Sequence, residues 1–252
     1  MPKILVTNDD GIHSAGIIAL AQALESLGDV VVVAPAHEMS AASHSLTLTR
    51  PLRIEKIDDH HFSVDGTPTD CVNIAITHIL KGKPDLIVSG INKGYNLGDD
   101  VTYSGTVSGA LEGALLGIPS LAVSLERNRD VPHFDHAAAA AATVASAVLR
   151  RGLPPRTLLN INVPRGRPKG LKVTVQARRN HVTSVSEAVD PRGQPYYWIE
   201  EGQSDWEPHD RSDYQAVRDG YVSVTPLQPD LTHYAALKFV ESLPLGAEVE
   251  VE

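Results

Sequence analysis

The feature that most limits what this chain can fold into is an alternation that runs through its first 163 residues. Short, nearly continuous apolar runs at 4–7, 30–34, 85–89, 121–125 and 158–163 take turns with segments that have helical spacing. Ile17, Leu20, Ala21, Leu24 and Leu27 fall on one helical face, and further helices are expected at about 71–80, 104–117 and 135–150. A strand that reads as an unbroken apolar run is buried on both faces, which is the condition of a parallel sheet covered by helices. The β-α-β-α order predicts a doubly wound, mostly parallel, Rossmann-like α/β sheet. Short strands are expected at 46–54 and 61–64 as well.

Ligands of such sheets sit beyond the carboxyl ends of the strands. The first strand ends there in Asn8-Asp9-Asp10-Gly11. Two adjacent carboxylates repel each other, and a divalent cation is the simplest neutraliser. A plain surface turn accounts for the same residues equally well, since Asn, Asp and Gly are turn formers. Two later strand-to-helix loops add oxygen donors, Ser40 and Asn92. Loops after neighbouring strands converge, so Asp9, Asp10, Ser40 and Asn92 are candidates for one metal site. Their carboxylate, hydroxyl and amide oxygens suit Mg²⁺, Mn²⁺ or Ca²⁺ rather than zinc.

A second candidate is Ser104-Gly105-Thr106, ahead of a small-residue helix. A helix start with free amides and hydroxyls is an anion site, although an ordinary Ser/Thr cap is the commoner meaning. His13 and His44 lie in candidate loops, and Arg178 and Arg179 could clamp a phosphate; solvated rings and surface ion pairs are the plainer alternatives. The Gly90, Gly94, Gly98 spacing is not a dinucleotide fingerprint, and neither a phosphate-binding P-loop nor a Gly-x-Ser-x-Gly elbow is present.

A net charge of −9 argues against an electrostatic grip on nucleic acid. Cys71 is the only cysteine, the N-terminus lacks a signal-peptide core, and no apolar run approaches membrane-spanning length. The expectation is a cytoplasmic enzyme or binding protein that acts on a small molecule. Composition changes after about residue 164. Residues 171–177 alternate like a half-exposed strand, and 181–220 are rich in aromatics, including Tyr196, Tyr197, Trp198 and Trp206, amid dense charge. That stretch reads as extended hairpins that pack on another subunit or cover the domain's own sheet edge. A returning strand at 221–225 and a terminal helix at 231–243 complete the expected chain.

Several of these stretches, in this order and spacing, resemble the SurE family of stationary-phase survival nucleotidases. They are Val6-Thr7-Asn8-Asp9-Asp10-Gly11, the Ser40 loop ending in His44-Ser45, Gly66-Thr67-Pro68-Thr69-Asp70-Cys71, Val88-Ser89-Gly90-Ile91-Asn92-Lys93-Gly94 and Ser104-Gly105-Thr106-Val107-Ser108. Leu159-Asn160-Ile161-Asn162-Val163-Pro164, Asp213-Tyr214 and 220–227 also match, so the resemblance covers nearly the whole chain. Ser43 stands where many members have glycine, and 181–212 is less recognisable.

The resemblance implies a metal-dependent phosphatase of nucleoside 5′-monophosphates, with 3′-monophosphates and short polyphosphate as further substrates of some members. It implies one divalent ion per subunit (Mg²⁺ or Mn²⁺) on Asp9, Asp10, Ser40 and Asn92, the four oxygens already reached. Ser104, Gly105 and Thr106 would hold the phosphoryl group, with Asn8 and Asn96 as supporting donors and Asp9 as first choice for the proton acceptor. The implied organisation is a catalytic core over 1–165 and a C-terminal hairpin region over 166–252 exchanged between subunits, giving dimers and often tetramers. From the residues alone, a nucleotide-binding regulator without turnover stays open. It would not need the adjacent carboxylates. A dinucleotide oxidoreductase would need the glycine fingerprint that is missing.

Overall fold

The computed structural model describes residues 1–127, 134–180, 183–201 and 205–244. In chain order these form β1 (Lys3–Thr7), α1 (Ala15–Leu24), β2 (Asp29–Pro35), β3 (Ile54–Lys56), β4 (His61–Val64), α2 (Pro68–Ile74), β5 (Leu86–Lys93) and α3 (Gly105–Leu115). Then follow β6 (Ser120–Leu125), α4 (Asp135–Arg151), β7 (Leu158–Val163), β8 (Leu171–Val173), β9 (Arg179–Asn180), β10 (Thr183–Val189), β11 (Pro195–Glu201), β12 (Asp205–Trp206), α5 (Asp213–Arg218), β13 (Val222–Leu227) and α6 (Leu237–Glu241).

Nine strands make one sheet in the order β3-β4-β2-β1-β5-β6-β7-β13-β8. From β4 to β7 every pairing is parallel; β3 runs antiparallel to β4, and β13 antiparallel to β7. The expected doubly wound α/β fold is therefore what the chain adopts. The strand alternation sorts the two faces. Ile4, Val6, Val32, Leu86, Val88, Leu121 and Val123 join the cluster under α1 and α4. Leu5, Val31, Val33 and Ile87 join the cluster under α2. Shifting one strand by a single residue would exchange the two sets.

The strand order reverses at β1. The crossover through α1 leads to β2 on one side, and the crossover through α2 returns to β5 on the other. The carboxyl ends of β1 and β5 thus border the crevice where such sheets bind ligands. Helix α3 lies close over this junction because it presents glycine to the sheet at every fourth position. A β-carbon on Gly109 would fall 3.0 Å from Ser89 Oγ and 3.0 Å from Thr7 Cγ2, and one on Gly113 would fall 2.2 Å from Ser120 Oγ.

Four expectations are corrected. The strand foreseen at 46–54 is confined to β3, because the preceding segment is tied to the start of α2 instead of to a neighbouring strand. Thr67 Oγ1 donates to the Ser45 carbonyl at 2.7 Å, and the Thr47 N–H donates to Asp70 Oδ1 at 2.9 Å. The helix foreseen at 71–80 begins three residues early on a Thr67–Asp70 capping box and finishes as a π-helical turn, Ala75–Ile79. Of the alternating 171–177 segment only Leu171–Val173 is a strand, followed by a lone bridge from Val175 to Ser212. The terminal helix at 231–243 shortens to a 3₁₀ turn and α6, neither with a buried residue, so no packing extends it.

In the aromatic-rich region β10 and β11 pair, among the described residues, only with each other, as an antiparallel ribbon. Tyr197, Trp198 and Ile199 of this ribbon are exposed. Helix α5, unforeseen, is capped by Ser212 and buries Ala216 and Val217 beside β13. Residues 181–182 and 202–204 of the expected hairpin region, and 245–252 at its end, lie outside the described residues.

Candidate active site

Beyond β1 the chain turns back on one side chain. Asn8, fully buried, accepts from the Gly11 N–H at 3.2 Å and donates Nδ2–H to the Gly11 carbonyl at 2.9 Å. Gly11 has φ of +95°, a conformation that favours glycine. This closed turn presents Asp9 and Asp10. The amide of Asn8 therefore shapes the loop.

Asp9 is buried against the first turn of α3. A β-carbon on Gly105 would lie 2.8 Å from Asp9 Cβ and 2.9 Å from its Oδ2, so only glycine allows the helix start to come this close. Thr106 Oγ1 donates to Asp9 Oδ1. Burial pushes the Asp9 carboxyl up to about 6, and the neighbouring Asp10 charge adds to the rise, while Thr106 opposes it. Asp10 is also raised, by burial first and by Glu38, with Lys93 acting the other way. Its Oδ2 is buried without a hydrogen-bond partner.

The loop after β2 is pinned to this turn, for the Met39 N–H donates to the Asp9 carbonyl at 2.8 Å. Ser40 follows directly, and its hydroxyl donates to Glu38 Oε1 at 2.6 Å. Asn92, near the end of β5, donates Nδ2–H to the Gly94 carbonyl at 3.0 Å, which leaves its amide oxygen for other partners. Asp10, Ser40 and Asn92 line one pocket of about 400 Å³ together with Glu38, Lys93, Leu125, Glu126 and Arg127. Asp9 adjoins Asp10 but faces α3. Among the described residues no three His, Cys, Asp or Glu side chains gather to hold a metal. The set here is two carboxylates, a hydroxyl and an amide. An orphaned carboxylate oxygen and two carboxyls raised by burial are what a site short of positive charge looks like, and hard oxygen donors fit Mg²⁺ or Mn²⁺.

The remaining candidates divide. Ser104 caps α3, its Oγ accepting from the Val107 N–H at 3.1 Å, so its oxygen serves the helix. Gly105 and Thr106 flank Asp9 as described. Asn96 is buried in an amide cluster: its backbone accepts from Asn160 Nδ2 and Asn162 Nδ2, its N–H donates to Asn162 Oδ1, and its side chain donates to Ser124 Oγ. His44 sits on the other flank of α3, 2.8 Å from Glu112 Oε2. His13 and Arg178 are exposed, and Arg179 pairs with Asp100 and lies over Trp206. Sequence reasoning passed over Glu38, Lys93, Glu126 and Arg127. Their only signal is adjacency to Ser40 and Asn92, or position just past the β6 run.

Comparison with known proteins finds relatives along nearly the whole chain. The family model described as Survival protein SurE matches residues 4–183. The chain is 52% identical over 240 residues to a protein named 5′-nucleotidase SurE from Pelobacter propionicus, covering 94% of this chain and 97% of that one. It is 51% identical over 248 residues to the protein of the same name from Geobacter sulfurreducens, covering 97% and 95%. The crystal structure of the SurE protein from Aquifex aeolicus superimposes with a TM-score of 0.85 at 49% identity, over 95% of this chain and 98% of that one.

Proposed function

The chain belongs to the SurE family, and from that premise we propose that it is a divalent-metal-dependent phosphatase that hydrolyses nucleoside 5′-monophosphates to nucleoside and phosphate. Nucleoside 3′-monophosphates and short polyphosphate are secondary substrates in this reading. The observation that carries it is the Asp9-Asp10 pair: a buried carboxylate next to a partly buried one that has an unpartnered oxygen, at the sheet's reversal point beside a helix start. A protein that only held a nucleotide would have no use for that pair, since buried like charges are costly without a cation.

Asp9, Asp10, Ser40 and Asn92 would hold one Mg²⁺ or Mn²⁺ per subunit. Such an ion, when bound, polarises the phosphoryl group and makes water a better nucleophile at neutral pH. The protein's own contribution is positioning and electrostatics. The positive dipole end of α3, at Ser104, Gly105 and Thr106, would face developing negative charge on the phosphoryl oxygens. Thr106, by donating to Oδ1, orients the Asp9 carboxylate. Asp9 is our first choice for the acceptor of the proton from attacking water. Asn8 keeps the turn closed, and Asn96 fixes the loop after β5.

In our reading 1–165 is the catalytic core and 166–252 the region through which subunits associate, as dimers and, by pairing of dimers, tetramers. The exposed aromatics of the β10–β11 ribbon support this. No helix among the described residues is long and apolar enough to cross a membrane. A cytoplasmic place of action agrees with the lone, buried Cys71. The test is phosphate release from a panel of 5′- and 3′-nucleoside monophosphates, metal-stripped and then with Mg²⁺ or Mn²⁺ restored. Release only with metal, strongest on 5′-monophosphates, is expected. No release by folded, metal-loaded protein would leave a nucleotide-binding regulator as the reading.

A further inference from the structure

The geometry points to Lys93 as a binding residue for the substrate's phosphoryl oxygens, a side chain that pairs loosely with Asp10 until a cation takes that carboxylate. The inference rests on the phosphatase reading above and extends it to a residue outside the metal set. It begins from charge. Asp9, Asp10, Glu38 and Glu126 stand in or beside the pocket against Lys93 and Arg127, an excess of two negative charges. A divalent cation only balances that excess. A phosphomonoester dianion arriving next needs positive charge that is not already neutralised, and the hydroxyls near α3 do not supply it. The Thr106 proton goes to Asp9, and Ser104, whose oxygen caps the helix, offers only an uncharged hydroxyl.

Lys93 is built to supply it. It is the last residue of β5, next to Asn92, and its backbone is held in register with Leu125 of β6. Its Nζ lies 3.9 Å from Asp10 Oδ1, an ion-pair distance but too long for a hydrogen bond, and the side chain is 43% exposed at the pocket surface. A cation bound by Asp10 would repel the ammonium at this range. The other carboxylates of the pocket have partners: Glu38 accepts from Ser40 Oγ, and Glu126 Oε2 accepts from Tyr95 Oη and the Arg165 N–H. The anion left for Lys93 is the phosphate. Arg127, exposed just past β6, lacks this fixed relation to Asp10.

The experiment compares wild type, Lys93→Met and Lys93→Arg in two assays: inhibition of nucleoside monophosphate hydrolysis by inorganic phosphate, and calorimetric binding of Mn²⁺ alone. Lys93→Met is expected to raise KM and the inhibition constant of inorganic phosphate by about tenfold, the low end for losing a hydrogen bond to a charged group. Mn²⁺ should bind that variant as tightly as wild type or more tightly, because a competing cation is gone. Lys93→Arg should recover most of the phosphate affinity. Unchanged phosphate inhibition in Lys93→Met would overturn the assignment. So would weakened Mn²⁺ binding, which would make Lys93 a support for Asp10 rather than a contact for substrate. Failure of the wider reading looks different: wild type itself would release no phosphate with metal present.

Discussion

Gly105→Ala is the smallest change that tests whether α3 must touch Asp9. The added carbon would lie 2.8 Å from Asp9 Cβ and 2.9 Å from Oδ2, where ordinary contact begins at 3.4 Å, so helix and turn must part by about 0.6 Å. Neither side can yield freely. The turn is closed by Asn8 on Gly11, and α3 is seated on the sheet through Gly109 and Gly113. Overpacking of this kind costs about 1–3 kcal/mol. Displacement approaching 1 Å at a reacting group is worth about 100-fold in rate. We expect a thermal midpoint a few degrees below wild type, kcat lower by about 10- to 100-fold, and weaker Mn²⁺ binding by calorimetry. Thr106→Val, which keeps the volume but removes the donor to Asp9 Oδ1, should lower kcat and cost about 1–3 kcal/mol in stability. A Gly105→Ala protein within twofold of wild type in both kcat and Mn²⁺ affinity would refute the reasoning.

Other consequences are open to direct measurement. The Glu112 carboxyl is held below its ordinary range, first by the hydrogen bond from His44 and then by Asn73. A lowered folded-state value contributes stability that is present above the unfolded value, near 4.3, and is lost as pH falls through the folded one. In urea unfolding, Glu112→Gln should thus be less stable than wild type by about 1 kcal/mol at pH 7, and the gap should close below pH 4; a gap independent of pH would contradict this. Asp213 is buried and accepts from the N–H groups of Gly98, Ala177 and Tyr214, so Asp213→Ala, which strands those donors, should cost about 3 kcal/mol by the same assay. Stability equal to wild type would remove Asp213 as the link between the loop after β5 and the C-terminal region. Replacing Tyr197 and Trp198 by serine should yield monomers in size-exclusion chromatography with light scattering, and an unaltered assembly would show that the β10–β11 ribbon is not the contact.

The core of the fold was legible because burial writes itself into periodicity. A strand such as 30–34 must be apolar on both faces, and α1 must carry a stripe, so each element announces its type. The C-terminal region was harder, since β8 and β13 have ordinary alternation and the partner of each is set by topology. The turn at 8–11 was legible through its adjacent carboxylates, yet the division of labour within it was not. Asn8 and Ser104 have the composition of ligand donors, and the sequence did not show that their side chains also serve local backbone. Lys93 gave no pattern at all, because a single lysine acquires meaning only from its distance to Asp10.

The central claim is that Asp9, Asp10, Ser40 and Asn92 converge on one divalent cation. The most direct measurement is a crystal structure of the protein soaked in Mn²⁺, with data collected for anomalous scattering from manganese. We expect one strong anomalous peak per subunit, with oxygens of those four side chains at about 2.0–2.6 Å. A peak held by other residues, or none here while Mn²⁺ supports turnover in solution, would contradict the account.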